Sequence, residues 1–357
     1  MGRGLNPAVR SPLVSRLPQL GQMKKGIVGE GYRRGGPGVR QPGFPPSPVF
    51  YDGPMRIFVA GASGAIGLPL VRRLSGAGHE VTGSTRGQAA ASRIREAGGE
   101  AVLCDVFDRE RFAEVMERAR PEVVINQLTS LPAKFEPRKR GFYDANNRIR
   151  SEGGDNLIEA TARSGAGRLI TQSIAFLYEP GGPTVKEEEA PVDRSGVHNA
   201  VLHHERQTLG DDRFDAVVLR YGMLYGPGTW YSRTGYFGGQ ARARRLPVVG
   251  DGNGLTSFLH VEDAASATAA VLKQGTGIYN VTDDEPARMS DWVPAFAAAV
   301  NARPPRRVPF WLASLIVGKP AALYATRGCA ASNARIREEI GWSPSITSWR
   351  DGFMTSI

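Results

Sequence analysis

Three glycines, at positions 61, 64 and 67, sit in the stretch Met-Arg-Ile-Phe-Val-Ala-Gly-Ala-Ser-Gly-Ala-Ile-Gly that runs from Met55 to Gly67. Glycine at 61 permits a tight turn, glycine at 64 lets backbone approach a pyrophosphate, and glycine at 67 lets the following helix pack closely on the preceding strand. A helix opening there offers N–H groups to phosphate oxygens. The spacing is that of a dinucleotide-binding turn. The next apolar segment, 79–85, ends in Gly83-Ser84-Thr85-Arg86. No carboxylate stands there to accept from a ribose 2′-OH, whereas Arg86 can pair with a 2′-phosphate, so NADP is expected in preference to NAD. Asp105, closing a third strand, could bond the adenine amino group or cap its own turn.

Other chemistries find little support. Cys104 and Cys329 are the only cysteines, and the five histidines lack ligand-like spacing, so neither a disulfide framework nor a metal site is expected. His203 and His204 are adjacent and diverge on a helix. The net charge of +10 is uneven: residues 1–54 hold eight Lys or Arg against Glu30 and Asp52, leaving little excess for the rest. With no basic stripe interleaved with aromatics, nucleic-acid binding is not expected. The apolar run 310–317 is too short to span a bilayer, which argues against stable membrane insertion. Residues 1–54, rich in Gly, Pro and Arg and without an apolar signal core, read as a disordered basic extension, and a reducing cytoplasmic setting is expected.

The elements that must position the glycine turn follow in order. Strands are expected at 56–60, 79–85, 100–104, 122–127, 168–173 and 216–221, with helices after the glycine turn, at 109–119 and at 147–164. This alternation predicts an α/β fold with a doubly wound parallel sheet, the Rossmann arrangement.

Several motifs then fall into one order. They are the glycine turn, Gly153-Gly154-Asp155-Asn156-Leu157, Ile174-Ala175-Phe176-Leu177-Tyr178, Leu219-Arg220-Tyr221-Gly222, Tyr225-Gly226-Pro227-Gly228, Phe258-Leu259-His260-Val261-Glu262-Asp263, Tyr279-Asn280-Val281 and Ile340-Gly341-Trp342-Ser343-Pro344. The chain resembles the extended short-chain dehydrogenase/reductases, the NAD-dependent epimerase/dehydratase family, over about residues 55–353. The resemblance implies that Gly61, Ser63, Gly64, Ala65, Ile66 and Gly67 line the pyrophosphate. Arg86 would meet the adenosine ribose end, Asp105 and Val106 the adenine, Leu128 and Thr129 the nicotinamide side, and the segment from Tyr221 would pass beside the nicotinamide. It implies a dinucleotide-binding domain at 55–225 that also receives 256–283, and a smaller, discontinuous C-terminal substrate domain from 226–255 and 284–353. A homodimer is compatible with it.

The resemblance also implies a tyrosine, a lysine four residues later and a Ser or Thr, because hydride transfer to a carbonyl makes an alkoxide that must be protonated or stabilised. Here those positions hold Val197, Val201 and Ile174, with Ser173 one residue before. His204 is the nearest polar replacement on the helical face shared by 197 and 201, and Ser173 and Tyr178 are further candidates, with His198 and His203 weaker ones. Residues 229–233, Tyr236, Phe237 and the 310–317 run suggest an apolar substrate. Arg242, Arg244 and Arg245 could instead grip a diphosphate. The expectation is an NAD(P)H-dependent oxidoreductase that reduces a ketone or activated double bond of an apolar, aromatic-type small molecule. A sugar-nucleotide epimerase or dehydratase and a non-catalytic NAD(P)-binding regulator are the alternatives.

Overall fold

Both faces of the first strand are covered, which is why it reads as a continuous apolar run rather than an alternating one. The computed structural model describes residues 53–357 apart from Ser195 and the Val197 side chain, so residues 1–52 of the expected extension lie outside it. In β1 (Arg56–Ala60), Ile57 and Val59 enter one core while Phe58 and Ala60 enter another on the opposite face. Six further strands join it: β2 (Glu80–Thr85), β3 (Glu100–Leu103), β4 (Val123–Asn126), β5 (Arg168–Ile174), β6 (Asp215–Tyr221) and β7 (Gly277–Val281). Their order is β7-β6-β5-β4-β1-β2-β3, and every neighbouring pair is parallel. The sheet is the doubly wound α/β arrangement that the alternation predicts. The chain reverses its direction of winding between β1 and β4, the crevice where such sheets bind ligands.

The helices cover both faces. They are α1 (Gly67–Gly76), α2 (Gln88–Glu96), α3 (Arg109–Ala119), α4 (Asp144–Arg150), α5 (Glu152–Ser164) and α6 (Asn199–Leu209). The single helix expected at 147–164 is in fact two. Ser151 breaks it, at φ −83° and ψ −82°, while its hydroxyl bonds back to the Asn147 carbonyl at 2.9 Å. Such local hydroxyl bonds compete with helix continuation. As a result α4 ends at Arg150 and α5 runs on as a separate segment.

After β6 come α7 (Tyr236–Arg242), α8 (Val261–Ala270), α9 (Met289–Ala299), α10 (Phe310–Val317), α11 (Lys319–Arg327), α12 (Ala334–Ile340) and α13 (Trp349–Thr355). Helix α8 returns to pack on α1. A third core, rich in aromatics, joins Tyr225, Phe258, Trp292, Phe296, Trp349 and Phe353. Its rings meet largely edge to face, as Tyr225 and Phe353 do at 5.2 Å and 88°.

The glycine turn is closed by backbone contact. Gly61 has φ +83°, and a Cβ there would lie 2.6 Å from the Gln127 carbonyl oxygen. A Cβ on Gly67 would lie 2.4 Å from the Gly61 carbonyl oxygen. Gly61→Ala therefore combines a disfavoured backbone with a clash against backbone and should lower stability by about 2 kcal/mol or more. A urea titration should show a lower midpoint with unchanged slope, and an unmoved midpoint contradicts the packing described.

Candidate functional site

A cavity of about 1460 Å³ opens over the carboxyl ends of β1, β2, β4, β5 and β6. Gly64, Ala65, Ile66 and Gly67 form part of its wall, together with Arg86, Thr129 and Tyr221. A Cβ on Gly64 would meet only the Gly61 carbonyl oxygen, at 3.3 Å, so this backbone stays open on the cavity side. A pyrophosphate fits such a turn. Arg86 is exposed at the end of β2.

The other residues implied for the cofactor are not all on the cavity. The Ser63 and Thr85 hydroxyls lie 3.4 Å apart. Asp105 Oδ1 accepts from the Phe107 N–H at 3.1 Å, so one of its oxygens caps its own turn. Val106 is buried, and its carbonyl accepts from Asn156 Nδ2. Leu128 contributes backbone: its N–H donates to Asn126 Oδ1 and its carbonyl accepts from Gln172 Nε2. The Tyr221 hydroxyl accepts from Gln127 Nε2 at 3.0 Å and bonds Thr268 at 2.6 Å, and burial pushes its pKa up to about 12.

His204 is not where the helical spacing suggests. It is buried and absent from the cavity wall. Because Asn126 Oδ1 accepts from Leu128, the amide nitrogen is what faces the imidazole, 2.9 Å from His204 Nε2. The Thr171 hydroxyl lies 2.7 Å from the same nitrogen. Nε2 is therefore an acceptor and the proton sits on Nδ1, which is buried without a partner. Gly154 leaves the space for it, since a Cβ there would lie 2.4 Å from Nδ1. Burial first, then the nearby Arg150 and His203, bring the His204 pKa down to about 3. A neutral, enclosed imidazole is no acid for a ligand in the cavity; it fixes Asn126 and, through it, the loop after β4.

Tyr178 is likewise committed inside the protein. Its hydroxyl donates to Asn280 Oδ1 at 2.7 Å and accepts from Arg220 Nη1 at 3.1 Å, and it too is absent from the cavity wall. Ser173 does line the cavity, but its hydroxyl donates to Glu205 Oε1 at 2.5 Å. Glu205, a landmark in the sequence for counting back to positions 197 and 201 but given no role there, forms a buried two-pronged ion pair with Arg220, at 2.9 and 2.7 Å. Burial opposes the charge on Arg220, yet the Glu205 hydrogen bonds hold its pKa above the ordinary value.

The cavity itself is basic and aromatic. Arg86, Arg138, Arg150, Arg244, Arg245 and Arg306 line it, whereas among the described residues Asp193 is its one carboxylate. Arg242 instead donates to the Arg233 carbonyl and is exposed. Phe135, Trp230 and Phe237 form an aromatic wall with ring centres 5.4 to 6.2 Å apart, and Trp230 Nε1 is anchored on the Pro132 carbonyl. From α10, Ala313, Ile316 and Val317 border the space. Val201, at the position where the resemblance implies lysine, is buried and faces it. His198 is the histidine that reaches the wall, with Nδ1 3.7 Å from Asp193 Oδ2. Burial lowers its pKa, against the opposing pull of Asp193.

Known proteins share the family and the fold. The model of the NAD dependent epimerase/dehydratase family matches residues 57–282. A 3-diazoavenalumate denitrifying reductase from a Streptomyces species is 43% identical over 306 residues, covering 84% of this chain and 99% of that protein. A 2-alkyl-3-oxoalkanoate reductase from Stenotrophomonas maltophilia is 25% identical over 270 residues, covering 70% and 76%. The solved UDP-glucose 4-epimerase of Thermotoga maritima, with UDP-glucose, superposes with a TM-score of 0.69 at 18% identity, over 85% of this chain and 97% of that one, a likeness of fold.

The enclosure of His204 has a measurable acid signature. Between about pH 6.5 and 3 the unfolded imidazole binds a proton that the folded one refuses, so the unfolded state holds more protons and stability falls as the pH drops through that window. The slope from one such group is at most about 1.4 kcal/mol per pH unit. His204→Gln should flatten the fall of denaturation midpoint between pH 6.5 and 4 relative to the parent. Equal slopes in the two proteins contradict a neutral buried imidazole.

Proposed function

Since the chain belongs to the NAD dependent epimerase/dehydratase family and is an NAD(P)-dependent oxidoreductase, we propose that it reduces a largely apolar aromatic carboxylate carrying a diazo group, with release of N2. The carrying observation is Val201: the wall has a valine where the resemblance implies the lysine of a proton-transfer pair, and Val197 replaces the tyrosine. When bound, a reduced nicotinamide supplies hydride. A diazonium carbon that gains hydride exchanges its C–N bond for C–H, and R–N2+ plus H− balances as R–H plus N2. No proton is consumed, so the missing pair is no handicap. A ketone, by contrast, becomes an alkoxide that needs an acid.

The glycine turn would hold the pyrophosphate, and Arg86 a 2′-phosphate, which favours NADP. Aromatic residues 135, 230 and 237 would flank a flat substrate, orienting it and excluding water. Domains divided near residue 226, a cytoplasmic setting and a homodimer belong to the same reading. No helix among the described residues is long and apolar enough to cross a membrane.

A second reading, reduction of a ketone or activated double bond, is favoured by His198. That imidazole lines the cavity beside Asp193 and could supply the proton. The epimerase alternative is weaker, because oxidising an alcohol requires a base in the place of the missing pair.

The deciding experiment supplies NADPH deuterated on one face or the other of the nicotinamide and a carboxylated arenediazonium salt. The expected outcome is one N2 per NADPH, with deuterium in the arene from one face only. Turnover of ketones but not of diazonium salts, abolished by His198→Ala, would establish the second reading. Arg86→Asp should weaken NADPH binding at least tenfold and leave NADH binding nearly unchanged; equal losses for both cofactors overturn the phosphate assignment.

A further inference from the structure

Arg150 ends α4, where Ser151 stops the helix, and lies on the wall of the cavity in company with Gln172 and Val201. It is only 6% exposed. Its Nε is buried without a hydrogen-bond partner, and among the described residues no ion pair engages its guanidinium. The carboxylate whose charge is felt at Arg150 is already used: Glu205 takes Arg220 on both oxygens and the Ser173 hydroxyl on one of them. His204, which feels the Arg150 charge, is neutral, and its Nε2 is taken by Asn126 and Thr171. Burial lowers the Arg150 pKa to about 10, with Glu205 opposing, so the group stays charged at neutral pH. A buried cation without a counter-charge is costly unless a ligand brings one.

We propose that Arg150 is the anion-binding residue of the cavity wall, its guanidinium receiving the carboxylate of the substrate. This assignment rests on the carboxylate in the reading above, not on the fate of the diazo group. Arginine presents paired donors that match a carboxylate, and desolvation by the apolar wall strengthens such bonds. The charge thus selects acids over their neutral esters and fixes one end of the substrate, while the aromatic wall holds its plane.

The test uses the full chain saturated with NADP+ and two inert probes, cinnamate and methyl cinnamate, titrated by calorimetry. Neither probe carries a diazo group, so a failed diazonium assay would leave this measurement intact. The parent should prefer the acid; a preference for the ester overturns the proposal without any variant. Arg150→Met should weaken cinnamate by roughly tenfold to a hundredfold and shift the ester by less than about twofold, with Arg150→Lys between the two. Parallel loss of both probes, or a fall in NADP+ affinity of the same size, overturns it, the second outcome reassigning the guanidinium to the cofactor. Removal of an unpaired buried charge should leave the melting temperature of Arg150→Met unchanged or raised, and a lowered one points to a structural role instead.

Discussion

The buried pair between Glu205 and Arg220 is the constraint on which the site side of this fold depends. It joins α6 to β6, and each partner spends its remaining capacity on a different element. Glu205 receives Ser173 from β5. Arg220 donates to the Glu188 carbonyl and to the Tyr178 hydroxyl, which passes the connection to Asn280 in β7. Three adjacent strands, one helix and the connection after β5 are therefore held by a single charged network. Two charges out of water contribute little net stability when paired and cost several kcal/mol when one is left alone. What such a network secures is register: the Ser173 end of β5 has one place to go.

That network also takes up two of the polar groups that the sequence offers for proton transfer. Ser173 reaches the cavity but donates inward, and Tyr178 is absorbed by Arg220 and Asn280. The polar groups that would serve an alkoxide are turned into supports for the sheet. The cavity keeps positive charge and aromatic surface, which would bind and orient the anionic, flat substrate proposed above.

The glycine turn, the sheet and the family were legible because they rest on strong local rules. Gly61 and Gly67 sit where backbone leaves no room for a Cβ, and the apolar runs have the length of buried strands. Asp105 was legible only as a choice between adenine and its own turn, and the turn takes one of its oxygens. The positions of His204 and Arg150 were not legible. Helical periodicity puts residues 201 and 204 on one stripe, but a stripe also has depth. Three residues advance a helix by about 4.5 Å, enough to pass from the cavity wall at Val201 to the space between α5 and β5 at His204. Only the position of the strand ends decides where along α6 the cavity stops.

Arg150 was hidden for a different reason. Read as part of one amphipathic helix from 147 to 164, it is one more arginine in an arginine-rich chain. The break at Ser151 changes its meaning, because a helix that stops there leaves its last side chain at the cavity rather than along a packed face. No count of charges detects this, since the same residue on an unbroken helix would follow the path of α5. The local hydroxyl bond that ends α4 and the glycine at 154 that admits His204 both act on this neighbourhood. The imidazole thus supports the site from behind: it is held neutral near the Arg150 guanidinium, and so adds no further positive charge to the arginines of the cavity.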